Sequence, residues 1–386
     1  MADGANYIQT DENEVDAVIY SKADLTLNGT GSLTIQGNYK HGIASKDDLV
    51  ITGGSYNITA VKDALNGKDC VKIKDGSFTL NTTTGNGIQS KNSDDSTKGY
   101  VYISGGTINI NNCYEGIEGT VIMIEDGSII INASDDGLNA ASASSTAATD
   151  NAGDTTMTSN SASEAATMSM NKTLGSEDIT VTTATDEVIT SSATIETPEP
   201  GDDTSQSGGP GRMKPGQAPD GVDENSYISI SGGTITINAK GDGIDSNGSF
   251  YISGGTVYVN GPTDNGNGSL DYNGTAKITG GSIVAVGSSG MAQGFDDTST
   301  QCSLLYLLSS DAAGGSTVTL KDKEGKEVIS FTPNKTYQSV VISSPNLIQG
   351  ETYTLICSNQ SYEITLNSIA TSNGQGMGMG RRGRGR

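Results

Sequence analysis

Along the chain an oxygen-bearing residue recurs ahead of a small one, as Asp63-Ala64, Asn86-Gly87, Glu115-Gly116, Asp136-Gly137 and Asp242-Gly243. Three residues after each first member stands a second oxygen-bearing side chain, Asn66, Gln89, Glu118, Asn139 and Asp245. If the segments stack, these groups converge. Bare carboxylates about 5 Å apart repel each other, whereas several converging oxygens suit Ca²⁺, a hard ion that takes 6–8 of them. The best candidate metal cluster is Glu115, Glu118, Asp136, Asn139, Asp242 and Asp245, with Asp135 nearby. The competing reading is that Asp-Gly and Asn-Gly are simply good turn chemistry. His41-Gly42 opens the series with an imidazole in place of an acid.

A second column, Lys46, Lys68 and Lys91, has Asp47, Asp69 and Asn92 beside it. Ammonium groups in a row can pair with the carboxylates of an acidic sugar chain, and one of them can act as a base if its pKa is depressed. Alternatively they form a solvated face balanced by the aspartates. Tyr102, Tyr251 and Tyr258 fall on outward strand positions and offer flat surfaces to sugar rings, as well as being ordinary strand formers. Other chemistries lack their residues. The four cysteines form no CxxC pair and there is one histidine, which removes zinc-finger and Cys/His-protease readings. Cys302 and Cys357 lie in one region, where a bridge and free buried thiols are both open. GxSxG, P-loop and dinucleotide motifs are missing in context, as are the EF-hand and the GGxGxDxUx calcium roll.

What must position these residues is a repeat. One octapeptide pattern occurs at 51–58, 73–80, 103–110, 124–131, 230–237, 252–259 and 278–285, with a basic period near 22. Its first position is isoleucine in every copy, and the position two before it is apolar, so one strand face points inward. Its fourth position is always glycine, as a corner through positive φ requires, and Ser or Thr always follows. Two inward columns come next, Tyr56/Phe78/Ile108/Ile129/Ile235/Val257/Ile283 and Ile58/Leu80/Ile110/Ile131/Ile237/Val259/Ala285. A third inward point recurs as Ile43, Leu65, Ile88, Ile117, Leu138 and Ile244. Three short strands per period predict an all-β, right-handed parallel β-helix solenoid with coils about 4.8 Å apart. Asn81, Asn111, Asn132, Asn238 and Asn260 follow the second strand and predict an asparagine ladder.

Of 386 residues 52 are glycine, 4 are phenylalanine and none is tryptophan, too little bulk for one broad core and enough for a thin repeated one. The net charge is −23, and four arginines lie within 381–386, so the rest is near −27. Such a field repels phosphate and argues against nucleic acid as a partner. No run of 18 apolar residues predicts a membrane span. MADGANY resembles no signal peptide, so the chain reads as cytosolic or, preferably, as a mature secreted chain carrying a start Met. The expected divisions are an N-terminal cap (1–19), coils (20–140), a Ser/Thr/Ala-rich insertion (141–225), coils again (226–300), an antiparallel β cap (301–370) and a Gly/Met/Arg tail (371–386). Within the insertion, DITVTTATDEVITSSATIE has the pattern of a hairpin.

The segment HGIASKDDLVITGGSYNITAVKDALNGKDCVKIKDGSFTL resembles the bacterial carbohydrate-binding-domain β-helix proteins of cellulolytic clostridia, in which DGI-x-SKDDL-x-I-x-GGT recurs. The similarity runs from about Tyr20 to Asp297, and STVTLKDKEGKEVISFTPNKTYQSVVISSP resembles the ending of those proteins. It implies a secreted or surface-attached protein with a polysaccharide-lyase-like fold, bound calcium, and binding to cellulose and pectin-like acidic sugars. His41 and Ala64 depart from the expected Asp and Gly. The function expected is thus non-catalytic carbohydrate binding with calcium. The alternatives are a Ca²⁺-dependent pectate lyase using Lys68 or a neighbour as base, and a structural surface or filament protein that self-assembles as a homo-oligomer. Scarcity of arginine in the coils argues against the lyase, since no guanidinium is at hand to steady an enolate. An ice-binding solenoid comes last, for want of a regular outward threonine column.

Overall fold

The computed structural model describes residues 1–4, 15–142 and 221–374, all within one compact unit; a second unit, 147–218, and the expected hairpin lie outside the described residues. Every regular element described is a strand. Three ladders account for the repeats. Ladder 1 is an 8-stranded parallel sheet running from Ala17–Ser21 through His41–Ser45, Leu65–Gly67, Ile88–Ser90, Ile117–Gly119, Leu138–Ala140 and Ile244–Ser246 to Leu270–Tyr272. Ladder 2 holds the strands before the glycine corner, such as Asp48–Ile51, Cys70–Ile73, Tyr100–Ile103 and Val121–Ile124. Ladder 3 holds those after it, such as Ser55–Ala60, Ser77–Thr82, Thr107–Cys113 and Ser128–Ala133. Each strand pairs in parallel with its counterpart one repeat on, for example Val101 with Ile122 and Leu80 with Ile110.

The period-2 columns decide which side faces in. Ile51, Ile73, Ile103, Ile230, Ile252 and Ile278 are buried, at 1% exposure or less. Each such side chain contributes about 1.5–3 kcal/mol by leaving water. Rings stack within the column as well, Tyr56 on Phe78 at 5.0 Å. The corner glycines adopt φ between 76° (Gly281) and 129° (Gly76), a region closed to most other residues. In the fifth and sixth repeats the chain stays hydrogen-bonded through the corner, so Tyr227–Ala239 and Ser249–Asn260 are single long strands rather than the expected pairs.

The ladders continue across the stretch without repeats. Ile122 pairs with Ile228 and Leu138 with Ile244, so the strands on either side of residues 143–220 are neighbours in the sheets. At the other end, Tyr337–Ser343 lies antiparallel between Ser282–Gly287 and Ser303–Ala312, covering the last rung of ladder 3. A 4-stranded antiparallel sheet, ordered Glu327–Phe331, Val318–Lys321, Thr352–Cys357 and Gln360–Thr365, packs beyond it with its own core around Tyr337, Val318 and Leu355. Ala370–Ser372 joins parallel to Ser303–Leu305, which the sequence did not suggest. All four cysteines are buried free thiols, which settles the open choice at Cys302 and Cys357.

Candidate metal and glycan sites

Ladder 1 brings the acidic and amide column together. Its outward residues stand in register as Asn66, Gln89, Glu118, Asn139, Asp245 and Asp271. Asp271 continues the column one rung past the residues singled out from sequence. The bend before each strand brings Asp63, Asn86, Glu115, Asp136 and Asp242 to the same side. It is tight at Gly137, where a Cβ would lie 2.3 Å from Ile237 Cγ2 and 2.4 Å from the Gly243 carbonyl oxygen. Glycine there is a packing requirement, relaxed only where Ala64 is fitted.

The two halves of the column differ in how charge is met. In the first half, every carboxylate has donors. His41 Nδ1 lies 3.1 Å from Asp63 Oδ2, and Asn66 Nδ2 donates to the same oxygen at 2.6 Å. Burial pushes the Asp63 carboxyl up, but His41 and the donors from Asn86 and Asn66 together hold it below the usual range. Asn86 Nδ2 donates to Glu118 Oε2 at 2.6 Å, Gln89 Nε2 donates to it at 2.5 Å, and Lys91 pairs with Glu118 Oε1. In the second half the donors thin to backbone N–H groups, Asp242 N–H to Asp136 Oδ1 at 2.6 Å and Gly268 N–H to Asp242 Oδ1 at 2.5 Å. Burial, then the neighbouring Asp135, Asp242 and Asp245, push Asp136 up to about 8. Burial does the same to Asp245, up to about 8, and to Asp242, up to about 7. Glu115 is raised to about 8 by burial and by Glu118, although Asn139 Nδ2 donates to it at 2.9 Å. Asp271 is raised by burial too, with Gln293 as its one side-chain donor.

Ligand atoms of Asp136, Asp242 and Asp245 lie within 4.8 Å of one another, and so do those of Glu115, Asp135 and Asp136. Two unit charges at that separation repel by about 3–4 kcal/mol at an effective dielectric of 20. Among the described residues no lysine, arginine or histidine forms an ion pair with Asp136, Asp242 or Asp245. Asn139 Oδ1, between Glu118 and Asp245 on the ladder, is buried without a hydrogen-bond partner. The donor set is therefore all oxygen, mostly anionic and short of hydrogen-bond donors, which fits a hard divalent cation better than zinc or copper. A further trio, Asp24, Asp47 and Asp48, lies outside this column and was not singled out from sequence.

The other candidates fare differently. Lys46 Nζ sits 3.2 Å from Asp16 Oδ2 and Lys68 Nζ 2.6 Å from Asp94 Oδ2, while Lys91 is held by Glu118. Each lysine already has a carboxylate of the chain, so the row is internally balanced. Tyr102 donates its hydroxyl to Glu125 at 2.6 Å, and Tyr251 leans on Tyr227 at 6.4 Å between ring centroids, both half-buried on ladder 2. Tyr258 is not a platform, because its ring stacks on Phe331 of the C-terminal sheet at 5.1 Å. Asn238 Nδ2 donates to Asn132 Oδ1 at 3.1 Å, and Asn260 Nδ2 to Asn238 Oδ1 at 3.3 Å, so part of the asparagine ladder forms.

Comparison with known proteins gives these features a setting. A family model described as "Carbohydrate-binding domain-containing protein" matches residues 1–266. A curated protein of that description from Acetivibrio thermocellus is 37% identical over a region covering 16% of this chain and 24% of its own length, so the chain spans about a quarter of that relative. A solved structure, the polysaccharide lyase-like protein from C. thermocellum in a gadolinium derivative, is 34% identical over 34% of this chain and 51% of its own, with a TM-score of 0.27. With the family match extending from the first residue well into the second group of repeats, the chain belongs to the carbohydrate-binding domain-containing protein family.

Proposed function

We propose that this chain is a non-catalytic, extracellular carbohydrate-binding protein, built as a right-handed parallel β-helix, that takes carboxylated polysaccharide with Ca²⁺. The observation carrying this reading is the uncompensated oxygen cluster of Asp136, Asp242 and Asp245, with Glu115, Asp135 and Asn139 beside it. These residues would hold the ion. When bound, calcium supplies positive charge that relieves their mutual repulsion and can meet a uronate carboxylate, which the field of a −23 chain otherwise repels. Pectin-like polymers are the expected class. A lyase reading needs a base close to the metal, and Lys46, Lys68 and Lys91, which follow the ladder 1 strands, are engaged as ion pairs, which favours the binder.

The test is retention on polygalacturonate in calcium and in chelator, with ultraviolet absorbance followed for β-elimination. Calcium-dependent retention with flat absorbance is expected. Rising absorbance would make the protein a lyase, and absence of retention in both conditions would refute the glycan reading.

A further inference from the structure

Ladder 3 carries a face of different character. Outward from it, the first column reads Ser55, Ser77, Thr107, Ser128 and Thr234, in register from rung to rung. The next column reads Asn57, Thr79, Asn109, Ile130 and Thr236, and the third carries Thr59, Asn81, Asn132 and Asn238. All are uncharged, and all but Ile130 carry a hydroxyl or an amide. The residue after the corner glycine, Ser or Thr on each rung as the sequence pattern gives, points outward and is exposed at 55, 77, 107, 128 and 234, a mixed hydroxyl column rather than a regular threonine one.

The fold does not demand this neutrality. Ladder 1 accepts Glu118, Asp245 and Asp271 at outward positions, and ladder 2 accepts Lys72 and Lys277. Nor does strand propensity explain it, since asparagine is depleted in strands. The asparagine ladder accounts for Asn132 and Asn238 but not for the middle column, where Asn57, Thr79, Asn109 and Thr236 make no side-chain hydrogen bond to another described residue. The outward residues also follow what lies over them. Where the C-terminal strands cover ladder 3, the middle column becomes Tyr258 and Val284 and the third passes from Asn260 to Val286, while the first stays Thr256 and Ser282. On the uncovered rungs they are neutral and hydrogen-bonding, with their donors and acceptors turned outward.

We infer that this face of ladder 3 is a second glycan-binding surface, taking the flat side of an ordered, neutral polysaccharide without metal. Hydroxyls and amides repeat at about 4.8 Å across rungs and about 6.8 Å along each strand, a lattice that can bond to many sugar hydroxyls at once. Individually these bonds are weak in water, and their number on a rigid sheet supplies the affinity. Charged side chains would lose hydration against such a surface, which gives a reason for their absence. The neutral surface also avoids the repulsion that an acidic chain exerts on acidic polymers. This inference rests on the carbohydrate-binding reading and assigns it a second face, on a different ladder from the oxygen cluster.

The experiment is retention of the full chain on microcrystalline cellulose, in calcium and in chelator, for the wild type, for Asn109→Glu/Thr236→Glu, and for a control charged on another exposed surface, Lys326→Glu, beside the strand Glu327–Phe331 of the C-terminal sheet. Far-ultraviolet circular dichroism melts check that each variant is folded. Wild type and control are expected to be retained alike in both conditions, and the face variant about tenfold or more weakly, with calcium-dependent polygalacturonate retention unchanged. Equal retention of the face variant would overturn the inference, as would wild-type retention that vanishes in chelator, or adsorption to ice without retention on cellulose. Failure of polygalacturonate binding alone would instead count against the calcium reading, because the cellulose arm in chelator does not depend on it.

Discussion

Replacing Asp245 by asparagine tests the oxygen cluster through a change of sign. The folded protein raises the Asp245 carboxyl from 3.8 to about 8, burial being the main cause and Asp242 the next. A group whose folded pKa lies above its unfolded one favours the neutral fold. Its contribution is intact below about pH 4, declines as pH rises, and is fully lost above about 8. Four units correspond to about 5 kcal/mol if Asp245 titrated alone. Asp136 and Asp242 share the repulsion, so a realised effect on the order of 2 kcal/mol is expected. Asparagine is neutral throughout. In chelator at pH 8.5, Asp245→Asn should therefore be more stable than wild type, its melting midpoint higher by roughly 4–8 °C. In calcium the order should reverse, because saturation at 100 times Kd stabilises the wild type by about 2.7 kcal/mol while the variant has lost an anionic ligand. Thermal melts in four conditions, wild type and variant with and without calcium, decide it. A variant less stable than wild type in chelator, or equally stabilised by calcium, would refute the reasoning.

Wild-type stability in chelator should fall between about pH 4 and about pH 8, the interval between the unfolded and folded values of Asp136, Asp242 and Asp245, and the fall should flatten in millimolar calcium; urea denaturation at each pH reads it. Gly137→Ala should cost about 2–4 kcal/mol in urea denaturation, since a Cβ 2.3 Å from Ile237 Cγ2 must push a strand of the next rung, whereas Ala64→Gly should change stability by about 1 kcal/mol or less. Lys68→Gln should leave polygalacturonate affinity within about twofold, because its exposed partner Asp94 already holds the ammonium group; a tenfold loss would restore the lysine row as a binding element. Ile237→Ala, in the buried column of ladder 3, should cost about 2–5 kcal/mol and broaden the transition, as rungs on either side lose a shared neighbour.

The repeat made the all-β, largely parallel architecture legible before any coordinates. An isoleucine every period, a glycine four positions into each octapeptide and two further apolar columns leave one arrangement in which the recurring apolar columns all face in. In-register stacking then follows from identity of pattern, and it is why Glu118, Asn139 and Asp245 could be placed in one line from sequence. The same logic extended by one rung would have found Asp271, and reading the Ser/Thr after each glycine as a column would have found the neutral face.

What tertiary structure alone decided was who meets whom across different faces and at the ends of the ladders. Lys46 finds Asp16, and Lys68 finds Asp94, through segments that do not repeat, so no period foretells the pairing. Tyr258 loses its surface to Phe331 because antiparallel strands far along the chain fold back over the last rungs. The division of the acidic column into a compensated and an uncompensated half depends on His41, the amide donors of Asn86 and Gln89, and Lys91, whose reach across rungs is a matter of a few tenths of an ångström. A repeating sequence fixes positions along a ladder, since each rung copies the last. Contacts between unlike segments have no such template and are set only when the whole chain is packed.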